Sequence, residues 1–155
     1  MLPRYLIADV DDTFTVGGRI HAQVLAAAAR AAAAGIEIVL NTGRPAGYGA
    51  ALLSYLPSIS AVIVENGGAW LDRKSVSGGE GHRPGTAPEI PLRFPRLPPV
   101  ELRPSLRALS ERVARRCALS FVPTADNDYR VTDYTVLRTL PGGAEGARVL
   151  GMLAS

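Results

Sequence analysis

The chain's 155 residues, 47% of them hydrophobic, suffice for one ordinary domain with a real core. Its formal charge of +3 is carried by arginine, Lys74 being the single lysine, and the scattered arginines form no aromatic-interleaved basic stripe that would suit a nucleic acid. The lone Cys117 excludes an intramolecular disulfide and a cysteine-based metal site.

Met1-Leu2-Pro3-Arg4 runs straight into a strand, with nothing like a signal peptide. Tyr5 to Ala8 reads as a short, buried, apolar strand. His21 to Ala34 is alanine-rich and helical, with Gly35 where a helix-ending glycine belongs. Within it, Leu25 to Ala34 is too short, and broken by Arg30, to span a bilayer. A reducing cytoplasm is therefore the expected compartment, with no membrane partner. Ile36 to Leu40 is a second strand, followed by the turn Asn41-Thr42-Gly43-Arg44. Pro45 opens a second helix over Ala46 to Tyr55, and Pro57 closes it. Ala61 to Val64 is a third strand, ending in Glu65-Asn66-Gly67-Gly68. This alternation predicts the α/β class, a parallel sheet joined by right-handed crossovers.

Beyond Leu71 the character changes. Arg73 to Pro99 is rich in proline and glycine and shows no sustained period, so it reads as an irregular connection. Glu101 to Cys117 recovers helical periodicity, with Leu102, Leu106, Leu109 and Val113 on one face and its arginines on the wet face. Ala118 to Val122 and Tyr129 to Leu137 read as two strands joined through Pro123 to Asp128. A final helix begins at about Gly146, and no internal repeat is present.

The chemistry collects at the strand ends. Asp9-Val10-Asp11-Asp12-Thr13 directly follows the first strand and sets two carboxylates two residues apart where the strand opens into a loop. In parallel α/β folds, the loops at the carboxyl ends of strands are where ligands gather. Thr42-Gly43-Arg44 ends the second strand and Glu65-Asn66-Gly67 the third, so the three points converge on one edge of the sheet. Asp-x-Asp-x-Thr, Thr-Gly-Arg and Glu-Asn-Gly, in this order and each after an apolar strand, resemble the haloacid dehalogenase superfamily. They are most similar to its sugar-phosphatase branch, subclass IIB, which carries a type-2 α/β cap after strand three. The core resemblance covers Tyr5 to Leu71, and Asp-Tyr-Arg-Val-Thr-Asp at 128–133 extends it weakly into the cap.

The resemblance implies a Rossmann-like parallel core over residues 1–71 and a connection with part of an α/β cap over 72–155. It also implies a magnesium-dependent phosphatase acting on a small phosphorylated metabolite such as a sugar phosphate. Asp9 would be the nucleophile that forms an aspartyl-phosphate. Asp11 would protonate the leaving alkoxide and then activate water, with a pKa raised by the neighbouring carboxylates. Magnesium would be held by the Asp9 carboxylate and the Asp11 backbone carbonyl. Thr42 and the Gly43 amide, opening a helix N-terminus, would bind phosphate. Arg44 and Asn66 would lie behind them or at the substrate's edge, and Asp12 and Thr13 would support the turn. Asp12 stands where the family often has glycine, which suits a turn residue better than a metal ligand. His21 and His82 suit a solvated surface. Asp126 and Asp128 suit a turn between cap strands, and Arg130 with Asp133 either a substrate contact or a structural ion pair.

Two elements implied by the resemblance have no counterpart in these 155 residues: a downstream lysine and a second Gly-Asp-x-x-x-Asp strand end. The sequence thus reads as an incomplete core with part of its cap. In such a core the first strand would lack its outer neighbour and form an apolar sheet edge, inviting a second copy or a complementing chain. Two further functions stay open: a non-catalytic relative that binds phosphate or a protein, and a phosphomutase using the same aspartyl-phosphate.

Overall fold

The structure, a computed structural model, describes residues 3–73, 91–95 and 102–138. Most of the connection read from Arg73 to Pro99, with Lys74 and His82, and the helix read from about Gly146 lie outside the described residues. The chain divides into two compact units, Met1–Leu97 and Pro98–Ser155.

In the first unit, β1 (Tyr5–Asp9), β2 (Glu37–Asn41), β3 (Ile59–Val64) and β4 (Ala69–Asp72) form one sheet in the order β1-β2-β3-β4. The first three are parallel and β4 returns antiparallel to β3. Between them lie α1 (Ala22–Ala33) and α2 (Ala46–Tyr55). Gly35, at φ 82°, supplies the left-handed residue that ends α1. Pro45, extended at φ −61° and ψ 160°, precedes α2.

Alternate residues of β2 and β3, including Ile38, Leu40, Val62 and Val64, are buried together with Leu52 and Leu53 of α2 and Leu71 of β4. Burying each such side chain stabilises the unit by roughly 1.5–3 kcal/mol. Arg73 ties the end of α2 to the sheet, donating to the carbonyls of Leu53, Leu56 and Ile59. A cation there also suits the negative end of the helix. Arg93 exchanges two backbone hydrogen bonds with Trp70 (2.9 and 2.8 Å) and pairs with Asp72 at 3.1 Å.

The strand β4 was not anticipated, because only four residues separate it from β3. The reading of the first strand as buried is corrected, and the expected apolar sheet edge is what the described residues show. Among the described residues β1 pairs with β2 alone, so Tyr5, Leu6 and Ile7 remain 49%, 47% and 65% exposed.

In the second unit, α3 (Leu102–Arg116) ends through left-handed Ala118 (φ 50°), with the Leu119 amide reaching back to the Ala114 carbonyl at 2.9 Å. A short hairpin-like pair follows, β5 (Phe121–Pro123) antiparallel to β6 (Val136–Arg138). The expected strand from Tyr129 to Leu137 shrinks to β6 because side chains take over the backbone's hydrogen bonding. Buried Asn127 donates to the carbonyls of Thr124 (3.1 Å) and Thr135 (2.6 Å) and accepts the Thr135 amide at 2.8 Å. Arg130, 6% exposed, pairs with Asp126 and Asp133 at 2.7 Å each, so Arg130 and Asp133 form a structural ion pair. Removing one member would strand a buried charge.

Close packing of α2 on the sheet depends on Gly49. A Cβ at this position would lie 2.5 Å from Val64 Cγ1 and 3.0 Å from Leu71 Cδ1. Gly49→Ala is therefore expected to destabilise the chain by about 1–3 kcal/mol through overpacking, beyond the roughly 1 kcal/mol that helix propensity returns. Denaturant unfolding checks this, and an unchanged or raised midpoint would contradict it.

Candidate active site

Asp9 closes β1 opposite Asn41, the last residue of β2, and Asn41 in turn lies opposite Ile63 of β3. The register thus brings the carboxyl ends of the three parallel strands level. Past Asp9 the chain enters a wide turn, Val10–Phe14, anchored in the core by buried Val10 and Phe14. Thr15 locks it: its amide (2.8 Å) and its hydroxyl (3.0 Å) both donate to the Val10 carbonyl. Asp11, Asp12 and Thr13 are thereby turned to solvent. Asp12 supplies the left-handed residue of the turn (φ 58°), a conformation aspartate tolerates better than most side chains.

Across from this turn, Thr42 is 1% exposed at the end of β2 and its amide donates to the Ile63 carbonyl at 2.9 Å. The Arg44 amide donates to Thr42 Oγ1 at 3.1 Å, and that hydroxyl points at Asp11 Oδ2 at 3.5 Å. The Arg44 guanidinium reaches back over the same carboxylate, with Nη2 at 2.7 Å from Oδ1 and Nε at 3.2 Å from both oxygens. It also lies over the Tyr48 ring, 5.3 Å from the centroid. Asp11, Thr42 and Arg44 therefore form one cluster beside Asp9. Asn66, left-handed at φ 56°, sends its amide toward the Thr42 carbonyl at 3.4 Å. Its side chain crowds Gly43: a Cβ there would meet Asn66 Oδ1 at 2.9 Å.

Two expectations change. Hydrogen bonding from Arg44 holds the Asp11 carboxyl below the usual carboxylate range; burial opposes this more weakly, and Thr42 adds to it. The expected upward shift from neighbouring carboxylates is overturned because an arginine occupies the space beside Asp11. Nor does Gly43 open the helix. The helix begins at Ala46, and the Ala46 amide points at Glu65 Oε1 at 3.4 Å.

Glu65, Thr15 and Tyr48 were not foreseen in these supporting roles. Thr15 carries a sequence signal as a hydroxyl residue closing a polar turn, and Glu65 stands in the Glu-Asn-Gly motif without that motif announcing its contact with α2.

Asp9 and Asp11 are hard oxygen donors of the type magnesium prefers. Among the described residues no group of three His, Cys, Asp or Glu side chains stands together as a metal cluster. With the Asp11 carboxylate engaged by Arg44, the residues that would hold a magnesium ion are the Asp9 carboxylate and the Asp11 backbone carbonyl, a sparse set for a cation that wants near-octahedral oxygen coordination.

Since the Asp11 pKa is lowered on folding, its pair with Arg44 stabilises the fold above the ordinary aspartate range. That contribution is lost as pH falls through the folded-state value. Both side chains are about half exposed, 52% and 45%, so the effect stays below about 1 kcal/mol. In a carbon-detected NMR titration, Arg44→Ala should move the Asp11 midpoint up toward the ordinary aspartate range. An unmoved midpoint would contradict the pairing.

No protein-family model matches the chain, and no curated protein matches it in sequence. Solved structures do. A Thermoplasma acidophilum protein superposes with a TM-score of 0.59 at 20% identity, over 88% of this chain and 51% of its own. A haloacid dehalogenase-like hydrolase from B. subtilis gives 0.50 at 16%, over 79% and 36%. Another from Bacteroides thetaiotaomicron gives 0.50 at 21%, over 80% and 41%. The chain spans about half the length of these structures, or less. Its strand-end cluster sits on the fold of the haloacid dehalogenase-like hydrolases.

Proposed function

We propose that the chain carries the nucleophile half of a phosphomonoester hydrolase acting on a small phosphorylated metabolite, a sugar phosphate fitting best. The observation that supports this most is the cluster of Asp11, Thr42 and Arg44 beside Asp9 at the ends of adjacent parallel strands. An Asp9 carboxylate oxygen attacks phosphorus while the ester oxygen leaves with a proton from Asp11, giving an aspartyl-phosphate and an alcohol. Water then attacks the same phosphorus, Asp11 accepts its proton, and inorganic phosphate leaves with Asp9 restored. Thr42 and the Gly43 amide donate to the phosphoryl oxygens. The Asp9 carboxylate and the Asp11 backbone carbonyl would hold magnesium, which would supply charge neutralisation toward the phosphate dianion.

Arg44 has two anions to serve. In the free site its guanidinium grips Asp11. An incoming phosphate dianion competes for the same guanidinium, and Asp11, once released, can take up the proton it later gives. The setting proposed is cytoplasmic; among the described residues no helix is long and apolar enough to cross a membrane.

Phosphate release from an aryl phosphate, with and without magnesium, is the direct test. Asp9→Asn should lower turnover by on the order of 10³-fold or more. Equal turnover by the variant would sink the assignment. A folded, phosphate-binding but silent chain would favour the non-catalytic relative, and phosphoryl transfer to a sugar hydroxyl in place of water would favour the mutase.

Among the described residues β1 keeps an open edge, which supports a partner as well, a second copy or a complementing chain that pairs with exposed Tyr5, Leu6 and Ile7. Sedimentation velocity over a concentration series should find association that Ile7→Lys abolishes. A wild-type monomer at every concentration would contradict self-association.

A further inference from the structure

Among the described residues Glu65 is the one fully buried carboxylate, at 2% exposure, and the reaction above does not use it. It stands where β3 reverses into β4, in the left-handed conformation (φ 52°), and Asn66 and Gly67 after it are left-handed too. Asn66 and Gly67 suit such a conformation; a glutamate side chain gains nothing locally from it. Strained backbone of this kind persists where the surroundings over-determine it, and it clusters at functional sites.

What the strain achieves is placement. The Glu65 amide donates to the Arg44 carbonyl at 3.0 Å. Its Oε1 faces the Ala46 amide at 3.4 Å, where α2 begins and negative charge is favoured. These two bonds grip the main chain on either side of Pro45. A third link, from the Asn66 amide to the Thr42 carbonyl at 3.4 Å, holds the other end of the same turn. The reversal between β3 and β4 thus acts as a backing plate for the turn that carries Thr42, Gly43 and Arg44.

We propose that Glu65 is a positioning residue: by bonding the main chain on both sides of Pro45 it fixes the turn that presents Thr42 and Arg44 to a phosphoryl group. The phosphoryl part of this role rests on the phosphatase reading above; the positioning part does not. Glu65 touches no reacting atom. Its effect passes through Arg44, whose grip on Asp11 requires the turn to hold its shape.

The test compares wild type with Glu65→Ala, Glu65→Gln and Ala46→Pro in two NMR readouts. One follows the Arg44 Nε–H resonance, which reports the contact with Asp11 and needs no ligand. The other is a titration with inorganic phosphate. Glu65→Ala keeps the amide bond to the Arg44 carbonyl but loses the carboxylate, and should weaken both the protection of the Arg44 Nε–H and phosphate binding by about tenfold or more. Glu65→Gln keeps an acceptor oxygen and should rescue both to within about threefold. Ala46→Pro removes the donor at a helix position where proline is tolerated, and it should reproduce the alanine variant. If Glu65→Ala fails to fold, Ala46→Pro carries the comparison. A folded Glu65→Ala or Ala46→Pro chain with the wild-type Arg44 signal would overturn the proposal. A wild type that binds no phosphate would overturn the phosphatase reading, and the Arg44 signal would still decide the role of Glu65.

Discussion

The register of one ladder governs the site. Asp9 lies opposite Asn41, and Asn41 opposite Ile63, so the strands β1, β2 and β3 end at the same level. A shift of one residue in the β1–β2 pairing would turn Asp9 to the other face of the sheet and take Asp11 away from Thr42. The register is held by buried Ile38 and Leu40 on β2 against the core residues of β3, and by the Thr42 amide on the Ile63 carbonyl. Packing that looks purely structural therefore sets the distance between two aspartates and a threonine.

Charge is the second constraint. Carboxylates gathered at a strand end repel one another and repel a phosphate dianion. The chain answers with Arg44, whose guanidinium neutralises Asp11 and rests on Tyr48. Behind it, Glu65 offsets the positive end of α2 and holds the turn between β2 and that helix. The charges alternate, with Asp11 and Arg44 both about half exposed and Glu65 buried. Arg44 and Glu65 are fixed by backbone as well as side-chain bonds.

Much of the parallel core could be read from the residues. The second helix was legible to its ends because Pro45 and Pro57 bracket it, and α1 because Gly35 supplies its left-handed stop. The strand ends were legible because polar motifs interrupt apolar runs. What could not be read was tertiary. The pair Asp11–Arg44 joins residues 33 positions apart, and nothing local announces it. Glu65 in a left-handed turn runs against its own propensity, which hid both the reversal and β4. The run from Tyr129 to Leu137 looked like a strand because β-branched and aromatic residues fill it. Asn127 and Arg130 instead spend their hydrogen bonds on the backbone and on Asp126 and Asp133. Side-chain networks of that kind leave no periodic trace.

A crystal structure of the chain grown with tungstate, a stable mimic of the phosphoryl group, would show directly what these strand ends hold. The anion should lie beside Asp9, hydrogen-bonded by the Thr42 hydroxyl and the Gly43 amide, with Arg44 turned from Asp11 toward it. Tungstate absent from the strand ends, or bound elsewhere while Arg44 stays on Asp11, would contradict it.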